Sequence, residues 1–334
     1  MNFLLTMSRR GVYSAVAWEI VGETGFNKNG NSSAHLPVML SEVLLWLRPR
    51  SGGVYVDCTV GYCGHGMEIL RASQPNGILL GIDRDGQAIN ANRQRLQSFG
   101  NRAILIKAHF MELRSILAER RIARVDGVLF DLGVSSAQLD EPSRGFSFQS
   151  EGPLDMRMDQ SSGPTAADIV NGLSEADLAD MIYRWGEERY SRRIARAVAR
   201  ARQQQPLTTT RQLTSVIESA VPGHYRRGRI HCATRTFQAL RIAVNRELEY
   251  LETSLRDAAD SLSTGARLCV ISFHSLEDRI VKQTFKALSS EAGGDLEILT
   301  KRPQVPSEEE KESNPRSRSA KLRVMQRVDK EGRT

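Results

Sequence analysis

Four short apolar runs, Val54–Val60, Ile78–Asp83, Ala103–Lys107 and Val125–Leu132, follow one another, with polar, charge-rich stretches of helical length between most of them. Strands that alternate with helices pair in parallel, and a parallel sheet must be covered on both faces. Ahead of the first run, Leu36, Met39, Leu40, Val43, Leu44 and Leu47 recur at helical spacing and predict a helix packed by one face. After Leu132 the alternation stops, and the next run of similar quality, Ala266–Phe273, lies well over a hundred residues on. A large insert therefore interrupts the sheet. Spacing and breakers predict helices at Thr165–Asn171, Glu175–Trp185, Glu187–Gln203 and Thr210–Ala220. One long helix over Gln238–Leu262, carried by Val244, Leu248, Leu251, Leu255, Ala258 and Leu262, returns the chain to the sheet. Lys321–Val328 supplies a last strand, and Pro303–Pro315 reads as an exposed loop.

The 334 residues thus divide into a leader over 1–34, an α/β domain over 35–140 and 241–334, and a helical insert over 141–240. Hydrophobic residues at 40% and charged residues at 25% exclude a disordered or fibrous chain. Cys58, Cys63, Cys232 and Cys269 form no CxxC pair, which argues against a disulfide framework or a zinc knuckle and fits a reducing cytosol. No apolar run approaches the roughly 18 residues of a membrane helix, so no membrane partner is expected. The leader holds Arg9, Arg10 and Lys28 against Glu19 and Glu23, with apolar stretches too short for a signal peptide. It reads as a disordered leader or the product of an upstream start codon, with an organelle transit peptide as the alternative.

The first strand runs into Asp57-Cys58-Thr59-Val60-Gly61-Tyr62-Cys63-Gly64-His65-Gly66, a glycine-rich turn that opens a helix. Ligands of open α/β sheets sit at such strand ends. Twenty-two residues after Gly61, Asp83 ends the second strand, where a carboxylate accepts hydrogen bonds from ribose hydroxyls. Together they mark an adenosine-containing cofactor. A dinucleotide fold needs G-x-G-x-x-G to cradle a pyrophosphate, whereas the order here is Gly61-x-x-Gly64-x-Gly66, which favours S-adenosylmethionine. Glycines used only for packing, and Asp83 used only as a helix cap, are the plainer readings. The fourth strand brings Asp131 to the same edge, followed by Ser135 and Ser136, as proton acceptor, amine-orienting group or helix cap. Ser272-Phe273-His274-Ser275 ends the next strand and places His274 there too.

The net charge of +7 favours polyanionic partners without naming one. Basic residues concentrate in the insert, where Arg189, Arg193, Arg196 and Arg200 form a helical stripe beside Ile194 and Val198. Tyr225, Arg226, Arg227, Arg229, Arg235 and Arg241 follow. A phosphate-binding surface is one reading; a solvated face paired with Glu187 and Glu188 is the other. Several such clusters together favour RNA.

These residues stand in the order of a known family: Asp57-x-Thr59, Gly64-His65, Asp83-Arg84-Asp85, the run Asp131-Leu132-Gly133-Val134-Ser135-Ser136, Arg144-Gly145-Phe146-Ser147-Phe148, the run Gly152 to Asp159, the run Ala233 to Ile242, and Ser272 to Arg279. From about His35 to Val328 the chain resembles the ribosomal RNA small subunit methyltransferase H family, also called MraW. The resemblance implies a Rossmann-like class I S-adenosylmethionine-dependent methyltransferase fold. It also implies methylation of the exocyclic N4 of a cytidine in 16S rRNA, at the decoding centre near the P site. Carried over, the cofactor contacts fall on Cys63, Gly64, His65, Asp83, Phe110, Asp131 and Gln138. Asp131 is the first catalytic candidate, with Ser135 and Asp155 as alternatives, and Arg193, Arg196, Arg235 and Arg241 are the RNA candidates. Methyl transfer needs no metal, a homodimer is left open, and the small ribosomal subunit in the cytoplasm is the expected partner. Two positions depart from the family pattern, Cys63 where glycine is usual and Cys232 where proline is usual. The rivals are a nucleotide-dependent oxidoreductase and a non-catalytic RNA-binding assembly factor.

Overall fold

The computed structural model describes residues 37–291 and 293–329. The expected leader over 1–34 lies outside them. The chain runs α1 (Leu40–Leu47), β1 (Val54–Asp57), α2 (Gly64–Ala72), β2 (Ile78–Asp83), α3 (Gly86–Arg95), β3 (Ala103–Lys107), α4 (Leu113–Glu119), β4 (Val125–Asp131) and α5 (Ser136–Asp140). The helices α6 (Ala166–Gly172), α7 (Glu175–Gly186), α8 (Ser191–Gln204), α9 (Thr210–Ala220), α10 (Gly223–Arg226), α11 (Thr234–Asn245) and α12 (Leu251–Ser261) follow. The chain then closes with β5 (Leu262–Ser272), α13 (Ser275–Glu291), β6 (Leu296–Ile298), α14 (Glu308–Ser313) and β7 (Lys321–Arg327).

The seven strands lie in the order β3-β2-β1-β4-β5-β7-β6, with β1 to β5 parallel and β7 antiparallel to both neighbours. This is the expected Rossmann-like class I methyltransferase sheet, with its order reversing between β1 and β4. Strand alternation sends Val56, Leu80, Phe130 and Val270 into a core closed by α4, α12 and α13. Tyr55, Leu79, Leu129 and Ile271 point the other way, into a core closed by α1 and α2. Each such buried side chain contributes about 1.5–3 kcal/mol relative to exposure. The register sets Asp57 beside Gly81 and Leu129, and Asp131 beside Ile271, so the carboxyl ends of β1, β2, β4 and β5 share one edge.

The intervening helices bury their apolar faces in a third core, which runs from Phe146 to Val244 through Leu178, Ile194, Leu213 and Phe237. The described residues nevertheless form one compact unit.

Three expectations are corrected. The long helix over Gln238–Leu262 is two helices, because Arg246 takes the left-handed conformation (φ 52°) and β5 already begins at Leu262. Asn245 ends α11 with a buried amide whose Nδ2 donates to the carbonyls of Met156 (2.7 Å) and Arg241 (2.9 Å), while its Oδ1 accepts from the Met158 N–H (2.8 Å). The helix expected from Glu187 starts at Ser191, since Glu187 is itself left-handed (φ 50°) and ends α7. The loop at 303–315 contains α14, capped by Ser307. Asn245→Ala is expected to cost about 2–3 kcal/mol, because buried backbone groups lose their partners. A fall in the urea midpoint at unchanged slope is the measurement that checks it.

Candidate active site

Polar side chains from four strand ends meet at the carboxyl edge. Asp57 is buried, with Oδ1 accepting from the Thr59 N–H (3.2 Å), and burial pushes its carboxyl up to about 7. Beyond it the chain turns at Gly61 (φ 46°), whose N–H donates to Asp83 Oδ2 (2.8 Å) and whose carbonyl accepts from Asn92 Nδ2 (2.6 Å). Cys63, the departure from glycine, is fully buried in the left-handed region (φ 61°), where an L side chain costs roughly 1–2 kcal/mol. Its thiol packs where a Cβ on Gly66 would come within 2.7 Å, and a Cβ on Gly64 would stand 2.5 Å from Pro37. Packing thus accounts for Gly64 and Gly66, and the turn geometry for Gly61.

Asp83 joins the first two strand ends, since Oδ1 accepts from the Asp85 N–H (2.8 Å) while Oδ2 holds the glycine turn. Burial pushes its carboxyl up to about 6. Asp83 is not the helix cap; Asp85 is, through Gln87 N–H (2.9 Å). Phe110 lies just past β3, half-buried, with its ring against His109 and the edge of Phe130.

Asp131 ends β4, and its N–H donates to Thr59 Oγ1 (2.6 Å), which locks the ends of β1 and β4 together. Its Oδ2 lies 3.4 Å from His65 Nδ1, and a quarter (25%) of the side chain stays accessible. Its Oδ1 is buried without a hydrogen-bond partner. Burial, then the charges of Asp57 and Glu277, hold its carboxyl well above the usual range. His65 is buried, its Nε2 sits 2.9 Å from the Val38 carbonyl, and burial lowers it to about 4.

The remaining candidates carry prior engagements. Ser135 and Gln138 form a reciprocal capping box on α5, and Gln138 Nε2 also donates to Asp85 Oδ2 (2.8 Å). Asp155 is clasped by Arg157 (Nε 3.0 Å, Nη2 2.8 Å), which holds its carboxyl below the usual range against the opposing effect of burial. That suits anchoring, not proton acceptance. His274 faces Glu277 at 3.2 Å, and Glu277 caps the turn after β5 by accepting from the Phe273 N–H (2.8 Å). Glu247, His274 and Glu277 converge within 4.8 Å, with the Arg241 guanidinium paired to Glu247 through two bonds (2.9 and 2.8 Å).

The same pairing engages Arg241, one of the RNA candidates, within the fold, with 17% of its side chain accessible. Arg235 donates to the Glu187 carbonyl (2.9 Å), and Arg196 meets Glu175 at 3.4 Å in an exposed pair worth little. Arg193 stays exposed, lying over the Tyr190 ring at 5.8 Å. Arg189 lies over both Tyr190 and Tyr225 at 4.8 Å. Glu187 and Glu188 do not neutralise the stripe. Glu187 accepts from Ser275 (2.6 Å) and Arg279 (3.1 Å), and buried Glu188 accepts from the Tyr225 hydroxyl (2.6 Å).

Sequence reasoning assigned no role to Arg144, which is fully buried. Its Nη1 donates to Asp85 Oδ2 (2.9 Å) and Gln87 Oε1 (3.1 Å), and its Nη2 to the carbonyls of Arg157 (3.1 Å) and Met158 (2.8 Å). A second carboxylate two residues after Asp83 was the available signal, since one capping bond leaves an Asp oxygen to be satisfied.

Residues 32–328 match the model of the MraW methylase family. A Syntrophobacter fumaroxidans protein named ribosomal RNA small subunit methyltransferase H is 52% identical over 316 residues, covering 91% of this chain and 98% of that one. Proteins of the same name from Syntrophus aciditrophicus (47% over 312 residues, 90% and 99% covered) and Geotalea daltonii (50% over 307 residues, 88% and 98% covered) are similarly close.

Proposed function

Because the chain belongs to the MraW methylase family, we propose that it methylates the exocyclic N4 of a cytidine in 16S rRNA, near the P site of the decoding centre. The methyl donor is S-adenosylmethionine, which supplies an electrophilic methyl group on a sulfonium cation. The residues at the edge fit such a cation. Asp57, Asp83 and Asp131 are carboxyls drawn out of water, and Asp131 Oδ1 is buried with no partner, so a positive charge placed against them relieves a desolvation cost.

Asp83 holds the ribose hydroxyls through lone pairs that its two backbone bonds leave free, with the turn from Gly61 to Gly66 beside it. Cytosine N4 is a poor nucleophile because its lone pair is delocalised into the ring, so the site must orient it and accept its N–H. Asp131 Oδ1 is the acceptor, and this orphaned oxygen is the observation that carries the reading. Ser135 and Asp155 have prior partners and fall behind it. The helices over 141–240 act as the substrate-recognition domain, with Arg189, Arg193 and Arg196 offered to phosphates. The partner is the small ribosomal subunit in the cytoplasm.

Incubation with labelled cofactor and undermethylated 30S subunits, followed by a nucleoside-resolved map of 16S rRNA, tests the proposal. Label at a cytidine N4 supports it. Binding without transfer returns the assembly-factor reading, and thermal stabilisation by NAD alone returns the oxidoreductase. Asp83→Ala is expected to weaken cofactor binding roughly ten- to hundred-fold, from about 1.5–3 kcal/mol for hydrogen bonds to a charged group. Calorimetric titration reads it, and unchanged affinity removes Asp83 from the ribose.

A further inference from the structure

The contacts of Asp131 and His65 constrain where their protons sit. His65 Nε2 lies 2.9 Å from the Val38 carbonyl, which can only accept, so Nε2 carries a hydrogen. A neutral ring then presents a bare lone pair at Nδ1, 3.4 Å from Asp131 Oδ2. Two acceptors facing each other at that distance repel unless a proton lies between them, and a proton kept on the carboxyl leaves both buried groups uncharged. The groups facing Asp131 agree. Asp57 at the end of β1 and Glu277 at the start of α13 add negative charge. Arg241 of α11, though within 3.9 Å of a Cβ on neighbouring Gly133, is spent on Glu247.

We propose that Asp131 is a neutral carboxylic acid donating to His65 Nδ1 in the cofactor-free protein, and that it gives up this proton to solvent when the sulfonium cofactor binds. The inference rests on the reading of Asp131 as the amine's acceptor. The proton balance closes over a turnover. Binding of the cation releases one proton and leaves a carboxylate with Oδ1 open. Methyl transfer forms the N–C bond and breaks the S–C bond, whose electron pair stays on sulfur. The proton shed by N4 goes to Asp131, and the neutral acid left beside uncharged S-adenosylhomocysteine is the starting state. The overall proton product thus leaves the enzyme at the binding step, ahead of chemistry.

Isothermal titration without RNA, in phosphate and imidazole buffers of different ionisation enthalpy, measures the protons released on binding. Below the free-state pKa of Asp131, S-adenosylmethionine is expected to release up to one proton more than S-adenosylhomocysteine, as one ionisable group linked to the cofactor's charge requires. Its affinity should rise about tenfold per pH unit up to the free-state pKa of Asp131, while that of S-adenosylhomocysteine stays level. Asp131→Asn, whose amide still donates to His65 Nδ1, should erase the difference between the two ligands. Equal proton release by both ligands overturns the proposal, as does a difference that survives Asp131→Asn. Because no RNA is present, this failure is separable from that of the N4 reading. An enzyme that labels cytidine N4 yet shows no excess proton sinks only the inference, and one that shows the excess but labels another position sinks only the substrate.

Discussion

Asp131→Asn is expected to lower the single-turnover methylation rate about 10²–10⁴-fold, the range for removing a positioned proton acceptor, while the protein stays folded. The fold should survive because the interactions that place residue 131 do not depend on its charge. The backbone N–H still donates to Thr59 Oγ1, and β4 still pairs with β5 at Ile271. An asparagine Nδ2 also replaces the shared proton as donor to His65 Nδ1. The amide oxygen can orient the cytosine amine but cannot take its proton, so the loss should appear in the rate at saturating RNA and not in the RNA concentration for half-saturation. A thermal midpoint near that of the parent shows that the loss is not misfolding. A reduction of tenfold or less would shift the acceptor role away from Asp131. Neither Ser135, held in its capping box, nor Asp155, clasped by Arg157, is free to assume it.

The positions of Asp57, Asp83 and Asp131 were legible because strand periodicity and the switch to helix fix where a parallel strand ends, and each carboxylate stands at such an end. What those residues touch was not. His65 reads as a cofactor contact within the glycine turn, yet both its ring nitrogens face protein groups, Val38 and Asp131. The break at Arg246 was invisible because an arginine in the left-handed region leaves no trace in the apolar spacing on either side of it. The partners of the basic stripe were illegible for a related reason. Helical spacing puts Arg193, Arg196 and Arg200 on one face of α8, with Arg189 ahead of its first turn, but whether each charge is free depends on tertiary partners. Glu175 meets Arg196 only in an exposed pair, while the expected neutralisers Glu187 and Glu188 turn toward Ser275, Arg279 and Tyr225. Arg144 is the largest omission, since an arginine in a polar stretch reads as solvated and its main partner lies 59 positions earlier.

Removing that side chain should have the largest effect on stability. Arg144→Ala is expected to destabilise the protein by about 3–5 kcal/mol, the range for breaking a buried ion pair from one side. That shift moves the thermal midpoint by on the order of 10 °C. The side chains of Arg144 and Asp85 are 1% and 3% exposed, so neither charge can recover hydration in place. Without the guanidinium, Asp85 keeps only the Gln87 N–H and Gln138 Nε2, and the carbonyls of Arg157 and Met158 lose their donor. The penalty is therefore the stranded charge more than a lost attraction, which a second substitution can separate. Adding Asp85→Asn to Arg144→Met removes the charge and fills most of the volume, so the pair should recover at least half of the single-variant loss. If the double variant is no more stable than the single, the carbonyl bonds to residues 157 and 158 hold the segment and the ion pair does not. Asp83 supplies the functional readout, because the Asp85 N–H is one of its two backbone donors. Loosening Asp85 should weaken cofactor binding in Arg144→Ala while the protein is still folded, and calorimetric titration at 25 °C, alongside a thermal melt of the same variant, checks it.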